Sequence, residues 1–171
     1  SSVNIPIIIY NVPGRTACNI LPETIIKLST ISNIVGVKEA SLSLDQAAMI
    51  IKNTGNDFTL LSGEDSLTYP LLSIGAKGVI SVASNVVPKN MSDMCSLFFS
   101  GNFIGARDIH YKLFDLFKAL FLETNPIPVK KALYMMGMIE DDIRLPLVVM
   151  TEKHIDKLRY VLKNLDLKLV N

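Results

Sequence analysis

The chain has 171 residues, of which 49% are hydrophobic and 19% charged, which suits one domain with a real core and excludes a disordered polypeptide. Its 17 basic and 16 acidic side chains nearly cancel and form no basic stripe, so no nucleic-acid partner is expected. No apolar run reaches the roughly 18 residues of a membrane span, and no basic-then-apolar leader opens the chain, so no membrane partner is expected either. The mean hydropathy of +0.36 is high and fits either a large core or apolar surface that another subunit or segment covers. Cys18 and Cys95 are far apart and lack metal spacing, so reduced thiols and a cytoplasmic location are expected.

The first predicted element is a strand over 5–10 (Ile5-Pro-Ile-Ile-Ile-Tyr10), read as buried on both faces. Leu21-Pro22-Glu23-Thr24 opens a helix that runs to about Ile31, with proline near its start and an acid in its first turn. Asn33 to Lys38 is the second strand. Leu44 to about Asn53 is the second helix, with Leu44, Ala47, Ala48 and Ile51 on one face. Phe58 to Ser62 is a strand, Ser66 to Ile74 a short helix closed by Gly75, and Gly78 to Val82 a fourth strand. Pro88 to about Gly101 is a fourth helix. Four strand–helix units with apolar, non-alternating strands predict a parallel sheet covered by helices.

After Gly101 only helices are predicted: Asn102 to Glu123, Pro126 to Met138, and Thr151 to Leu165 with Thr151 as N-cap. The connector from Glu140 to Met150 reads as extended. Two domains are therefore expected, 1–101 with the strands and 102–171 of helices. Four parallel strands fit a small open sheet or half of a (β/α)8 barrel, and periodicity does not choose between them.

The strand ends carry the chemistry. They read Tyr10-Asn11-Val12-Pro13-Gly14-Arg15-Thr16, Lys38-Glu39-Ala40, Ser62-Gly63-Glu64-Asp65 and Gly78-Val79-Ile80-Ser81. In a parallel sheet all four ends share one rim. Lys38 can snorkel to water along its own stem, or it can be a buried amine whose ammonium form is disfavoured, a nucleophile for ketones and aldehydes. Tyr10 is a core tyrosine or, beside such a lysine, a proton shuttle. Arg15 is a solvated loop residue or a bidentate grip on a carboxylate.

Tyr10-Asn-Val-Pro-Gly-Arg-Thr16, Gly36-Val-Lys-Glu-Ala40, Leu61-Ser-Gly-Glu-Asp65, Gly78-Val-Ile-Ser-Val82, Asn125-Pro-Ile-Pro-Val-Lys130 and Arg144-Leu-Pro146 stand in order along the chain. Together they resemble the dihydrodipicolinate synthase family, within the N-acetylneuraminate lyase superfamily of class I aldolases. The resemblance implies the C-terminal half of a (β/α)8 TIM barrel followed by a small helical domain. It implies catalytic Lys38 and Tyr10. Lys38 would bind pyruvate as an imine and Tyr10 would relay protons. Arg15 would hold the carboxylate of L-aspartate-4-semialdehyde, and the backbone at Ile80 and Gly63 would position the pyruvate-derived part. The product would be 4-hydroxy-tetrahydrodipicolinate, on the way to diaminopimelate and lysine, with no cofactor, no metal and a homotetrameric assembly.

Ser1 is not a methionine and a strand follows almost at once, so the earlier strands are expected to be absent. With them would go a threonine and a second tyrosine of the family's relay and most of a lysine-feedback site. The sheet would then be unclosed, and the chain inactive by itself. The rival readings are another pyruvate-dependent aldolase, of N-acetylneuraminate or 2-keto-3-deoxy-sugar acid type, and a non-catalytic half-barrel association module. Arg15 favours the synthase. The remaining conspicuous residues read as structural. His110 and His154 are expected on the surface, Met135, Met136 and Met138 in helix packing, and Tyr111, Phe114, Phe117 and Phe121 in core or subunit contact. Glu64 and Asp65 are expected at a rim or helix cap.

Overall fold

A computed structural model describes residues 4–170, so the outermost residues of both expected domains lie outside it. The chain divides between Ser81 and Val82 into two compact units, earlier than the boundary after residue 101 expected from sequence.

In the first unit β1 (Ile7–Asn11) is followed by a short α1 (Pro13–Thr16), which the sequence reading did not anticipate, and by α2 (Pro22–Leu28). β2 (Ile34–Glu39), α3 (Leu44–Asn53), β3 (Thr59–Ser62) and α4 (Thr68–Ser73) complete the alternation, with a 3₁₀ turn over Asp65–Leu67 ahead of α4. The three strands form one parallel sheet in the order β1-β2-β3. Their β-branched and aliphatic content suits a pleated, packed surface. Pro22 at the start of α2 and Ser43, whose hydroxyl accepts from Gln46 N at 3.0 Å ahead of α3, set where the helices begin.

The expected fourth strand is reduced to a single parallel bridge between Ser62 and Val79. Three backbone bonds of about strand geometry still join it to β3: Lys77 N to Leu60 O at 2.9 Å, Ser62 N to Gly78 O at 2.8 Å and Ile80 N to Ser62 O at 2.9 Å. Gly78 takes a φ of +152°, outside the usual range of a strand residue, and a 3₁₀ turn begins at Ala83, so the extended run cannot continue.

The sheet has two unlike faces. Successive side chains alternate, and the register pairs Ile9 with Val37 and Val37 with Leu60. These three point into the core with Ile25, Ala47, Ile50, Leu71 and Ala76. Burying each aliphatic side chain there contributes about 1.5–3 kcal/mol. The opposite face carries Ile8, Tyr10, Gly36, Lys38, Thr59 and Leu61. Ile8 is 46% and Tyr10 47% exposed, so β1 is not buried on both faces as its apolar run suggested. The inward face of α3 is also displaced from the expected one. Gln46, Ala47 and Ile50 are buried, while Leu44 and Ala48 are exposed, because Gln46 turns inward to polar partners described below.

The second unit contains α5 (Pro88–Phe99), α6 (Phe103–Ala119), α7 (Ile127–Met135) and α8 (Glu152–Asn164). α6 packs on α5 and α8, and α7 on α8. The buried stripe of α6 runs through Ala106, His110, Leu113, Leu116, Phe117 and Ala119 at helical spacing, whereas Phe103 and Ile104 lie exposed. Of the aromatic set only Phe117 is buried, and Met138 is exposed while Met135 is enclosed. His110 is 5% exposed instead of lying on the surface, its ring 5.7 Å from that of Phe114 and 5.8 Å from that of Phe117. Thr151 does not cap α8 with its own hydroxyl. Its N–H and Oγ1 donate instead to Glu123 Oε1 at 3.0 and 2.7 Å, and His154 Nδ1 lies 2.8 Å from the same oxygen. Lys130 reaches the Asp142 carbonyl, and Lys131 lies 2.5 Å from Asp141 Oδ2, tying the irregular 140–150 connector to α7. No helix among the described residues is long and apolar enough to cross a membrane. Neither cysteine is in a disulfide: Cys18 is exposed, and Cys95 is half-buried with its thiol pKa pushed up by desolvation.

Burial pushes the His110 imidazole below its usual value of 6.5. The unfolded chain therefore binds that proton more readily, and this contribution to stability is lost as pH falls below about 6.5. The hydrogen bond from Thr151 holds the Glu123 carboxyl below its usual value of 4.5, so its contribution persists to lower pH and is lost as pH falls through the folded value. Urea unfolding should show a lower midpoint at about pH 5.5 than at about pH 7.5, and His110→Phe should flatten that slope.

Candidate functional site

Pairing of β1 with β2 places Tyr10 opposite Lys38 and Asn11 opposite Glu39. Lys38 therefore extends from the sheet face that turns away from the core, on the same side as Tyr10. Its Nζ sits 4.0 Å from the centroid of the Tyr10 ring. That is contact distance for an amine over an aromatic face. The Lys38 side chain is half-buried instead of fully enclosed, because the helices of this unit cover only the other face of the sheet. Lys38 makes no ion pair or hydrogen bond among the described residues, so its nitrogen is uncommitted.

Gly63, just past β3, gives the lysine stem its room. A Cβ built on Gly63 would lie 3.1 Å from Lys38 Cγ and 2.9 Å from Ala40 Cβ. Gly36, two residues before Lys38 on the same face, serves the sheet itself: a Cβ there would meet the Thr59 carbonyl oxygen at 2.4 Å. The backbone N–H groups of Gly63 and Ile80 are already used, donating to Glu39 O at 2.8 Å and Ser62 O at 2.9 Å. Any backbone contact they offer a ligand falls to their carbonyls. The Ile80 side chain is 44% exposed.

Arg15 lies in α1, the single turn that follows Val12, with Ala17 in the left-handed conformation at its end. Its side chain is exposed and makes no hydrogen bond or ion pair among the described residues. The structure thus joins Tyr10, Lys38 and Gly63 in direct proximity, and the Ile80 N–H bond to Ser62 O sets Ile80 alongside the Ser62–Gly63 peptide. Glu64 accepts from Ser66 N and Oγ at 3.4 and 2.9 Å and caps the 3₁₀ turn, a helix-cap role as expected, while Asp65 is buried.

A second group of polar residues escaped the sequence reading. On the core face, one layer beyond Ile9, Val37 and Leu60, lie Asn11, Glu39 and Ser62, respectively 1%, 3% and 0% exposed. The Glu39 carboxylate accepts from Asn11 Nδ2 at 3.2 and 3.1 Å, from Ser41 N at 2.6 Å and from Gln46 Nε2 at 3.1 Å. Asn11 Oδ1 accepts from Ile20 N at 3.0 Å, and Asn19 Nδ2 donates to Gln46 Oε1 at 2.9 Å. The adjacency of Asn11 to Tyr10 and of Glu39 to Lys38 was visible in the sequence. Nothing in the spacing of positions 11, 39 and 46 revealed that they meet.

The fold and site define an α/β protein of parallel strands with a tyrosine–lysine pair at neighbouring strand ends, followed by packed helices. Residues 1–165 match the dihydrodipicolinate synthetase family model, and the chain belongs to that family. It is 53% identical over 167 residues to the 4-hydroxy-tetrahydrodipicolinate synthase of Archaeoglobus fulgidus, covering 98% of this chain and 58% of the relative. To the enzyme of that name from Aquifex aeolicus it is 51% identical over 170 residues, with 99% of this chain and 58% of the relative covered. The crystal structure of dihydrodipicolinate synthase from Aquifex aeolicus superposes with a TM-score of 0.96 at 50% identity, covering 99% of this chain and 58% of that one. The chain therefore spans about three-fifths of the length of these relatives. Three strands, not a closed barrel, are what it contributes within its described residues.

Gly63→Ala should cost about 1–3 kcal/mol, since its Cβ would crowd Ala40 Cβ at 2.9 Å and the Glu39 carbonyl oxygen at 3.1 Å. Gly36→Ala should cost more, because the obstacle is a backbone oxygen in a paired strand. Comparing the two in denaturant titrations checks the order.

Proposed function

We propose that this chain supplies the Schiff-base lysine of a lyase that condenses pyruvate with L-aspartate-4-semialdehyde to give 4-hydroxy-tetrahydrodipicolinate. The observation that carries the proposal is the Lys38 amine stacked 4.0 Å from the Tyr10 ring, on the sheet face turned away from the core. The names of the relatives, at about half identity over nearly the whole chain, support the same reading.

In this reading the Lys38 nitrogen attacks the C2 keto carbon of pyruvate. The carbinolamine loses water to give an imine, and Tyr10 relays the protons that these steps consume and release. Loss of a C3 proton gives an enamine, whose C3 attacks the aldehyde carbon of the semialdehyde, and the resulting alkoxide takes up a proton. The amino group of the semialdehyde then attacks the imine carbon, which closes the ring and releases the Lys38 amine. Arg15 grips the semialdehyde carboxylate, and its exposed, unengaged guanidinium is free for that role. The backbone at Gly63 and Ile80 borders the pyruvate-derived part. No cofactor or metal enters the sequence of steps.

In this reading the remaining strands of a (β/α)8 barrel and the rest of the proton relay are supplied by segments outside these 171 residues, and the whole enzyme is a homotetramer. A sugar-acid aldolase of the same superfamily is the nearest rival, and a non-catalytic association module the more distant one. Exposed Ile8, Tyr10 and Ile80 favour the latter if the sheet face serves only to bind another segment.

Borohydride reduction in the presence of pyruvate should leave a mass adduct on Lys38 in the full-length protein and none in Lys38→Ala. No adduct in the full-length protein would remove the lyase reading. Arg15→Ala should lower semialdehyde turnover on the order of a hundredfold while sparing pyruvate capture, and equal loss in both assays would count against its assignment. The 171-residue chain by itself should turn over neither substrate at a normal rate.

A further inference from the structure

Strand-end residues on the core face are a costly choice here. Ile9, Val37 and Leu60 fill the preceding layer of the same face with aliphatic side chains alone. Asn11, Glu39 and Gln46 replace that packing with a buried carboxylate that has no ion-pair partner among the described residues. Burying a carboxylate is unfavourable unless every acceptor site finds a donor, and cohesion of the sheet does not require it. What such a network adds is direction: hydrogen bonds fix distance and angle where aliphatic contacts do not.

We propose that Glu39 is a positioning residue, whose buried carboxylate, clamped by Asn11 and Gln46, sets the strand ends that present Tyr10 and Lys38 on the opposite face. This rests on the lyase reading above. Two features of the geometry carry it. Glu39 and Asn11 are paired across β1 and β2 in the same register that pairs their neighbours Lys38 and Tyr10. Because side chains alternate along a strand, a tie on one face fixes the direction of the adjoining residues on the other. The tie also extends beyond the sheet. Ser41 N at 2.6 Å folds the chain after β2 onto the carboxylate, and Gln46 at 3.1 Å anchors the first turn of α3.

The chemistry of the donors makes the claim specific. All three partners donate: the Asn11 amide, the Ser41 N–H and the Gln46 amide. An ionised carboxylate has only acceptors and satisfies all three. In Glu39→Gln one oxygen becomes an NH2 group and faces donors. In the double variant Glu39→Gln with Gln46→Glu, the NH2 group of residue 39 meets a carboxylate at 46, so the donor–acceptor match across that pair is restored with the charge moved from residue 39 to residue 46, while Asn19 Oδ1 and Ile20 O lose the longer bonds that Gln46 Nε2 donates at 3.3 and 3.4 Å.

The test uses the full-length protein and follows the rate of borohydride-trapped pyruvate adduct on Lys38, together with kcat and KM for pyruvate. Glu39→Gln should slow adduct formation and kcat by on the order of tenfold to a hundredfold per folded molecule, with KM changed by less than about twofold. The double variant should recover most of that loss. A folded Glu39→Gln protein with the wild-type trapping rate overturns the proposal and leaves the lyase reading intact. If Glu39→Gln does not fold, Gln46→Leu, which removes one donor, is read instead. A slower trapping rate at unchanged KM supports positioning, and an unchanged rate overturns it. Absence of any adduct in the wild-type protein sinks the lyase reading itself, and the proposal with it.

Discussion

Parallel pairing of β1 with β2 is the constraint from which the rest follows. It sets Tyr10 beside Lys38 on one face and Asn11 beside Glu39 on the other. A slip of one residue would exchange the faces, driving the lysine into an aliphatic core and exposing Val37. Register is held where it matters by two different means. Aliphatic burial of Ile9, Val37 and Leu60 secures the middle of the sheet, and directional bonds to Glu39 secure its ends.

The same two-sidedness explains the exposure pattern of the first unit. The helix-covered face is dry, with Val37, Ala47 and Ile50 fully enclosed. The other face carries a half-buried lysine, an exposed tyrosine and an exposed isoleucine at position 8.

Much of this was legible before any coordinates. The bounds of α3 are those read from Leu44 to Asn53, because apolar residues at helical spacing run up to Thr54-Gly55-Asn56, which ends the helix locally. β2 and β3 lie within a residue of their expected limits, since short β-branched runs bounded by loops carry their own signal. The fourth strand failed because an apolar run predicts extension but not the unusual φ of Gly78 that interrupts it. His110 was misplaced because one polar residue on an amphipathic helix says nothing of the rings that will surround it. Lys38 stands near the end of β2, where the strand pattern puts it, yet its partial exposure depends on what covers that face, which no local pattern encodes. The Asn11–Glu39–Gln46 network was invisible for a related reason: polar residues far apart in sequence declare themselves a cluster only after the strands are paired.

The two cysteines differ in a way that suits spectroscopy. Cys18 is exposed and free, and it follows the left-handed Ala17 that ends α1. Its immediate neighbour Asn19 is the outermost member of the buried polar group, bonded to both Asn11 and Gln46. Cys95 is half-buried, with a thiol less ready to ionise. A fluorophore or spin label offered at neutral pH would therefore choose Cys18, giving a native reporter on the loop joining α1 to α2 without any engineered attachment point.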